Sequence, residues 1–511
     1  MEGRRHTQIH RRHAPSGGAP ARARGLGLLL ALAVVAVVAV AGVAWVAGLA
    51  GNPAAGGAAS PETPAFPQDP SGKLAGATES VDENGVVHGT TPAGVDYLLW
   101  GRGQAGARPD RVTLVAAGDQ IGTDQVLELT DAAGGAPGDG VYDFTPFYQE
   151  VAPFVQERDL RFVNQETVMA GTDEYGYAGY PSFNTPDAAA DALAKTGFNL
   201  VNLATNHVLD YGVEAAERSL DVWDAYPGIA CAGSYRSQAD RETVRLVERN
   251  GMTFAFLAFC YGDNYFQEDL PDTWHLCGFD KAAIEADVRR AQQVADAVIV
   301  AMHWGTEYES EPDGQQLDYA AFLADLDVDL VLGTHAHTVQ PVRLVQGASG
   351  NAVPVVFGLG DLVSGWGKVD YLLSGLFTCD FVRVYDEAGT DGGSGDAGAD
   401  GAGTADGAEG SAGDAGTAAA DDAAARAAAA AAAGAAWHVE VRNLAWHPAM
   451  EWSDGGPVRV RFLADMDEAT TNANVRAQEL NYGQPSMEGV NLYAYVREKT
   501  DATVTEIPVV W

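Results

Sequence analysis

Basic residues are scarce in this chain. Lys and Arg number 31 against 70 Asp and Glu, which gives a formal net charge of −39. A surface this acidic repels nucleic-acid phosphates, so binding of DNA or RNA through a basic patch is excluded. Cysteine is scarce too: Cys231, Cys260, Cys277 and Cys379 are the only four. None lies in a Cys-x-x-Cys pair, so zinc-ribbon and thioredoxin-type motifs are absent. Outside the cell one disulfide is open to them, and Cys260 with Cys277, which flank one loop-like stretch, is the favoured pair. Free buried thiols are the commoner outcome, so the pairing stays open. No Gly-x-x-x-x-Gly-Lys loop supports ATP hydrolysis, and no Gly-x-Ser-x-Gly elbow supports a serine esterase. Long apolar runs are missing as well, with one exception.

That exception is residues 25–50, almost unbroken apolar sequence without a charge. Roughly 20 apolar residues span a bilayer, and this run is longer. Arg4, Arg5, Arg11, Arg12, Arg22 and Arg24 precede it. Basic residues stay on the cytoplasmic side, so residues 1–24 read as a cytoplasmic basic segment and 25–50 as a single-pass transmembrane anchor. The protein then sits in the cell membrane with its main domain outside. A cleaved signal peptide is the competing reading, since small residues crowd around 47–59, but its apolar region is ordinarily about 7–15 residues. Residues 51–110 read as a linker and arm. The first part, 51–75, is rich in Gly, Ala and Pro. The second, 76–110, has one apolar cluster, Tyr97-Leu98-Leu99-Trp100, and reads as a short hairpin or an extended arm.

From residue 111 the pattern changes. Strand-like runs at 112–116, 160–164, 199–204, 253–259, 297–302, 329–332 and 353–357 alternate with helical patterns at 187–195, 213–225, 281–295 and 317–326. Such alternation implies an α/β sheet with helices packed on it, here over 111–385. Residues 376–385 and 437–444 alternate like an antiparallel pair. Between them 386–436 is Gly, Ala and Asp with little else, and reads as an acidic disordered insertion. Residues 437–511 complete the domain or are appended to it, with a strand at 457–463 and a further strand pair at 492–496 and 504–510.

Six short polar motifs follow the strands: Gly118-Asp119; Asn164-Gln165-Glu166; Asn206-His207 with Asp210; His303-Trp304-Gly305 with Glu307; Gly333-Thr334-His335-Ala336-His337; and Gly358-Leu359-Gly360-Asp361. Singly each is commonplace: a Gly-Asp pair is usually a turn, and a histidine at a strand end is usually a packed one. Together they place imidazoles, carboxylates and an amide after strand C-termini, where open α/β sheets build their sites. A turn after a strand can direct both His335 and His337 at one point. This donor mixture suits zinc, manganese or iron rather than thiolate-seeking metals. Of the remaining residues, Trp304 reads as core before substrate platform. Trp366 reads as a pocket rim, and Glu307 equally as a surface carboxylate or a site contact.

The order Asp, Glu, Asn-His, His, His-x-His resembles the calcineurin-like metallophosphoesterase superfamily. More specifically it resembles the CapA family, named for capsule and poly-γ-glutamate biosynthesis. The matching stretches run from Thr205 to Gly212, from His303 to Tyr308 and from Gly333 to Gln340. The resemblance implies a four-layer α/β/β/α sandwich and one or two divalent metal ions (Mn, Zn or Fe). Asp119, Glu166, Asn206, His303, His335 and His337 would be the ligands, with His207, oriented by Asp210, as general acid or phosphate-binding donor. Two departures stand out. Phosphoesterases begin with Asp-x-His, whereas Ile121 stands at the histidine position, so one expected ligand is missing. CapA proteins usually have Gly-Asn where this chain has Gly360-Asp361. The function implied is a metal-dependent, membrane-anchored role in capsule or poly-γ-glutamate synthesis or export, alongside an anionic polymer and a membrane-bound synthase complex. The alternatives are a phosphoesterase on another envelope substrate and a non-catalytic polymer-binding subunit.

Overall fold

A strand buried on both faces is apolar almost throughout, yet its alternate residues still divide between two layers. In the strand Arg111–Gln120, Val112, Leu114 and Ala116 pack into one core while Val115 and Ala117 pack into another. Met252–Cys260 and Ala297–His303 repeat the pattern. Phe254, Phe256, Ile299 and Ala301 join the first core, and Leu257, Phe259, Val298 and Val300 line a third. The first core therefore lies between two sheets, and the other two lie under the helices that cover each outer face. This is the expected α/β/β/α layering.

The computed structural model describes residues 71–106, 111–264, 272–366, 369–385, 436–479 and 490–511. Of the chain's two units, 1–65 and 66–511, only the second contains described residues. The expected cytoplasmic segment and anchor, most of the linker, and the acidic insertion except Ala436 lie outside them. No helix among the described residues is long and apolar enough to cross a membrane.

In chain order the strands are β1 (Thr78–Val81), β2 (Val87–Thr90), β3 (Asp96–Trp100), β4 (Arg111–Gln120), β5 (Leu160–Gln165), β6 (Leu200–Asn202), β7 (Ala230–Ala232), β8 (Val244–Arg249) and β9 (Met252–Cys260). They continue with β10 (Ala297–His303), β11 (Leu330–Thr334), β12 (Val342–Gln346), β13 (Ala352–Val356), β14 (Asp361–Val363), β15 (Leu373–Tyr385), β16 (Trp437–Trp452) and β17 (Arg459–Phe462). One sheet runs β1-β2-β3-β8-β9-β10-β11-β13-β12. The other runs β17-β16-β15-β4-β5-β6-β7, with β14 paired to β4. The site-bearing strands are parallel within each sheet: β9, β10 and β11 in one, and β14, β4, β5 and β6 in the other. Their C-terminal ends therefore line up along one edge of each sheet.

Helices α1 (Asp124–Gly134), α2 (Ala188–Thr196) and α3 (Val213–Asp224) bury Val126, Leu193, Leu220 and Trp223 on the outer face of the second sheet. Helices α4 (Lys281–Gln292) and α5 (Gly314–Asp325) bury Ile284, Val288 and Leu323 on the first. Each fully buried Val, Leu or Ile contributes about 1.5–3 kcal/mol. The starts of α4 and α5 are fixed locally. The Asp280 carboxylate accepts from the Ala282 and Ala283 amides, and Asp313 with Gln316 forms a capping box.

Two open readings are resolved, and one expectation, the strand at 492–496, is corrected. The arm at 76–110 contains β1, β2 and β3, which extend the first sheet. Tyr97 and Leu99 are buried on alternate positions of β3, and β3 pairs in parallel with β8. The strand expected at 492–496 is instead part of helix α6 (Leu492–Thr503). Leu492, Val496 and Thr500 are buried at a spacing of four, and the Asn491 side chain caps the Ala494 amide at 3.0 Å. Cys260 and Cys277 do not pair, and all four cysteines are free. Cys260 belongs to the core between the sheets and Cys277 to the core under α4, so their thiols occupy different layers.

Candidate metal centre

The centre begins where β4 ends. Gly118 lies so close to Gly360 that a Cβ there would stand 1.8 Å from the Gly360 carbonyl oxygen. Glycine is therefore required for the approach that lets the Asp119 amide donate to that carbonyl at 3.0 Å. β14 runs parallel to β4 with Asp361 in register with Asp119, which sets two carboxylates side by side. Asp119 is held by two donors: the His335 amide at 2.9 Å and the Asn164 side-chain amide at 2.7 Å. Asn164 accepts in turn from Asn202 at 2.8 Å. A chain of buried amides thus orients Asp119, and the His335 contact ties the end of one sheet to the end of the other.

After β11 the backbone takes left-handed conformations at His335 (φ 86°) and His337 (φ 56°). Non-glycine residues seldom adopt these, and such strain concentrates at functional sites. The outcome is that both imidazoles reach the same place. His337 Nδ1 lies 2.9 Å from Asp361 and 3.8 Å from Asp119, and its Nε2 lies 3.7 Å from Glu166. Two groups of donors result, Glu166 with His335 and His337, and Asp119 with His337 and Asp361. All five residues are buried, and the donor atoms within each group lie within 4.8 Å of one another.

Beside them stands His303, its ring 4.7 Å from that of His335. Its Nδ1 meets the Thr334 hydroxyl and its Nε2 the Asn206 side-chain oxygen, each at 2.9 Å. His207 and Asp210 form a separate dyad on the same side. His207 Nδ1 lies 2.9 Å from Asp210, which also accepts from the Phe183 amide at 2.7 Å.

Burial sets the charge states. It pushes Asp119 up to about 6, with help from the charge of Asp361, and raises Glu166 well above the usual carboxylate range. Asp361 and Asp210 are raised as well, again chiefly by burial. Burial holds His303 and His335 well below the ordinary histidine value, reinforced by neighbouring imidazoles, so both are neutral; His335 Nδ1 is left unpartnered, while both His303 nitrogens are engaged by Thr334 and Asn206. Burial also pulls His337 down, but Glu166, Asp361 and Asp119 outweigh it and raise the group well above its ordinary value.

The donors fit a divalent cation. His335 Nδ1, Glu166 Oε2 and Asp361 Oδ2 are buried without a hydrogen-bond partner. A polar atom left so costs about 1–3 kcal/mol, and three together mark a place where a further partner belongs. Nitrogen and carboxylate oxygen donors suit zinc, manganese or iron.

Of the residues expected as ligands, Asp119, Glu166, His335 and His337 fall directly into the two groups. Asn206 and His303 stand next to them, bonded to each other. Asp361, one of the six sequence motifs but outside the expected ligand set, completes the second group and bonds His337. Ile121, in place of a histidine, is buried. Asn202 and Asn264 went unseen. Asn202 carries a weak signal, a polar residue at the end of an apolar strand. Asn264 carries none, lying in an irregular segment, yet its amide is 3.4 Å from the His207 ring. Trp304 is fully buried, stacked on Phe357 at 5.8 Å, and donates to the Phe357 carbonyl at 2.8 Å.

Two helix-covered sheets stacked face to face, with histidines and carboxylates converging at their strand ends, define a metallophosphoesterase-like α/β protein. The family follows from comparison: residues 113–366 match the model described as bacterial capsule synthesis protein PGA_cap, and the chain belongs to this CapA family. It is 26% identical over 223 residues to the PGA biosynthesis protein CapA of Bacillus subtilis (strain 168), covering 43% of this chain and 57% of that one. It is 22% identical over 241 residues to the capsule biosynthesis protein CapA of Bacillus anthracis, covering 45% and 56%. It is 24% identical over 217 residues to a probable polyglutamine synthesis accessory protein of Mycobacterium tuberculosis (strain ATCC 25618 / H37Rv), covering 40% and 55%. The chain thus spans little more than half the length of these relatives.

Proposed function

We propose that this protein is a membrane-anchored, extracytoplasmic, metal-dependent member of the CapA family that acts on a phosphoester during synthesis or export of a cell-envelope polymer, either capsule or poly-γ-glutamate. The observation that carries the reading is the buried cluster of Asp119, Glu166, His335, His337 and Asp361 with its unpartnered donor atoms. Relatives named for capsule and PGA biosynthesis support the envelope setting. The uncharged apolar run at 25–50, behind six arginines, supports the anchor.

Glu166, His335 and His337 would hold one cation, and Asp119, His337 and Asp361 a second, with Asn206 and His303 beside the first. When bound there, a divalent metal supplies Lewis acidity to a phosphoryl oxygen. The residues of the chain do the rest. Asp210 accepts from His207 Nδ1, fixing the tautomer and leaving Nε2 as the atom that exchanges a proton with the leaving oxygen. Burial of Asp210 among its two donors keeps that orientation rigid.

The test uses the full chain with its metal content measured. Hydrolysis of p-nitrophenyl phosphate and of a γ-glutamyl peptide is compared between wild type and His207→Gln. The reading expects metal-dependent phosphoester turnover that falls about 100-fold in the variant. Turnover of neither substrate by metal-loaded wild type would leave a non-catalytic accessory role, which the missing Asp-x-His histidine favours. For the anchor, the expected result is protein in the membrane fraction with an intact N-terminus. A mature start near residues 50–60 would remove it.

A further inference from the structure

An arc of aromatic side chains runs across the centre. Phe183 meets His207 edge-on at 4.6 Å between ring centroids, and Tyr180 meets Phe183 at 6.4 Å. Trp366 lies 6.5 Å from Tyr180 and 6.2 Å from His337, and Tyr308 lies 5.6 Å from His337. The arc therefore runs from the histidine of the His207–Asp210 dyad to the histidine shared by both donor groups. Phe183 is buried and Trp366 half-buried, whereas Tyr180 is 71% exposed and Tyr308 40%.

Two features show that the arc is built rather than incidental. Tyr308 has a left-handed backbone (φ 70°), which a bulky residue seldom tolerates. Its amide donates to the Ala336 carbonyl at 2.7 Å, so the strained turn is pinned to the loop that carries His335 and His337. Trp366, half-buried, stands between the exposed Tyr180 and the buried His337 and so joins the rim to the floor.

The electrostatics narrow the ligand. Glu307, next to Tyr308, is exposed, and its charge reaches Asp361, Tyr261 and Tyr308. Among the described residues, no lysine or arginine is a main influence on Asp119, Glu166, Asp361 or the three buried imidazoles. A polyanionic strand laid across this rim would meet the Glu307 charge with no lysine or arginine to offset it, since the cations held by the floor would compensate only the one phosphate that faces them. A sugar ring would not. Its C–H face suits an aromatic ring, and its hydroxyls can donate to the exposed Glu307 carboxylate.

On the proposed phosphoester chemistry, we infer that the arc is a sugar subsite: the substrate is a glycosyl phosphoester whose ring packs on Trp366 and Tyr308 while its phosphate faces the metal-binding floor. Tyr308 and Trp366 set specificity. The polymer itself is not what enters the centre.

Calorimetric titration of the full, metal-loaded protein tests this with three probes: glucose 1-phosphate, methyl phosphate and a γ-linked glutamate pentamer. Glucose 1-phosphate is expected to bind about tenfold tighter than methyl phosphate. Tyr308→Ala and Trp366→Ala should each erase most of that margin with metal content intact, and Tyr308→Phe should retain it. Equal affinities for the two phosphates, or alanine variants that keep the margin, would overturn the sugar subsite while phosphoester binding stands. Binding of the pentamer but of neither phosphate would overturn both the subsite and the phosphoester reading beneath it.

Discussion

The two sides of the centre are equally buried, yet burial moves protons in opposite directions on them. On one side burial and neighbouring imidazoles keep His303 and His335 from taking up protons. On the other, Asp119, Glu166 and Asp361 crowd around His337, and burial together with their mutual repulsion makes them hold protons that carboxylates usually give up. A cation would meet the unpartnered His335 Nδ1 on the first side and would have to displace protons on the second. The difference also gives the metal-free fold two opposed pH dependences. Unfolded histidines take up protons below about pH 6.5 that His303 and His335 refuse in the fold, so this contribution to stability is lost as pH falls. Asp119 keeps its proton in the fold up to about 6, whereas the unfolded chain loses it near 4, so its contribution is lost as pH rises between those values.

The contrast can be broken or sharpened by substitution. Replacing His335 and His337 together with Ala removes a donor from each group and should lower metal affinity by about 100-fold or more, read by calorimetry. Gly118→Ala drives a Cβ into the Gly360 carbonyl and should separate the carboxylate pair, costing about 2 kcal/mol in urea denaturation with the imidazole side unmoved. Asn164→Ala frees Asp119 from its orienting amide and should lower metal affinity about tenfold, since partners of ligands typically matter to that degree. Asp361→Asn acts on the second donor group alone, where the amide oxygen can still serve as a donor. It should cost about tenfold in affinity there, and it removes the neighbouring charge that helps raise Asp119. The fall in metal-free stability between pH 4 and 6 should flatten, and thermal midpoints across that range would show it.

Much of the carboxylate–imidazole floor was legible because the sequence places His303, Glu166 and Asp119 at or just after the ends of apolar strands, where polar residues are otherwise unexpected. The His335–His337 pair was legible by spacing alone. Asp361 was legible as a motif but not in its role, because the family pattern has Asn there and only β14 sets the carboxylate beside Asp119. The helices at 188–196 and 281–292 were legible from their helical patterns, whereas α1 followed an irregular stretch and was missed. The N-terminal strands hid for a physical reason: β1 is exposed along its whole length, so no alternation marks it. Residues 492–496 misled because Leu492 and Val496, four apart, fit a strand face as well as a helix face. The caps at Asn491 and the burial of Thr500 decide for the helix.

The central claim is that these five buried side chains bind a divalent cation and that the carboxylate side yields protons when they do. Calorimetric titration of the full chain with Mn or Zn at pH 5.5 and 7.5, in buffers of differing ionisation enthalpy, tests it directly. The account predicts saturable binding at one or two sites, tighter at the higher pH and accompanied by proton release, and lost in the His335→Ala, His337→Ala double variant. Absence of binding to wild type, or binding that is indifferent to pH and to the double substitution, would contradict it.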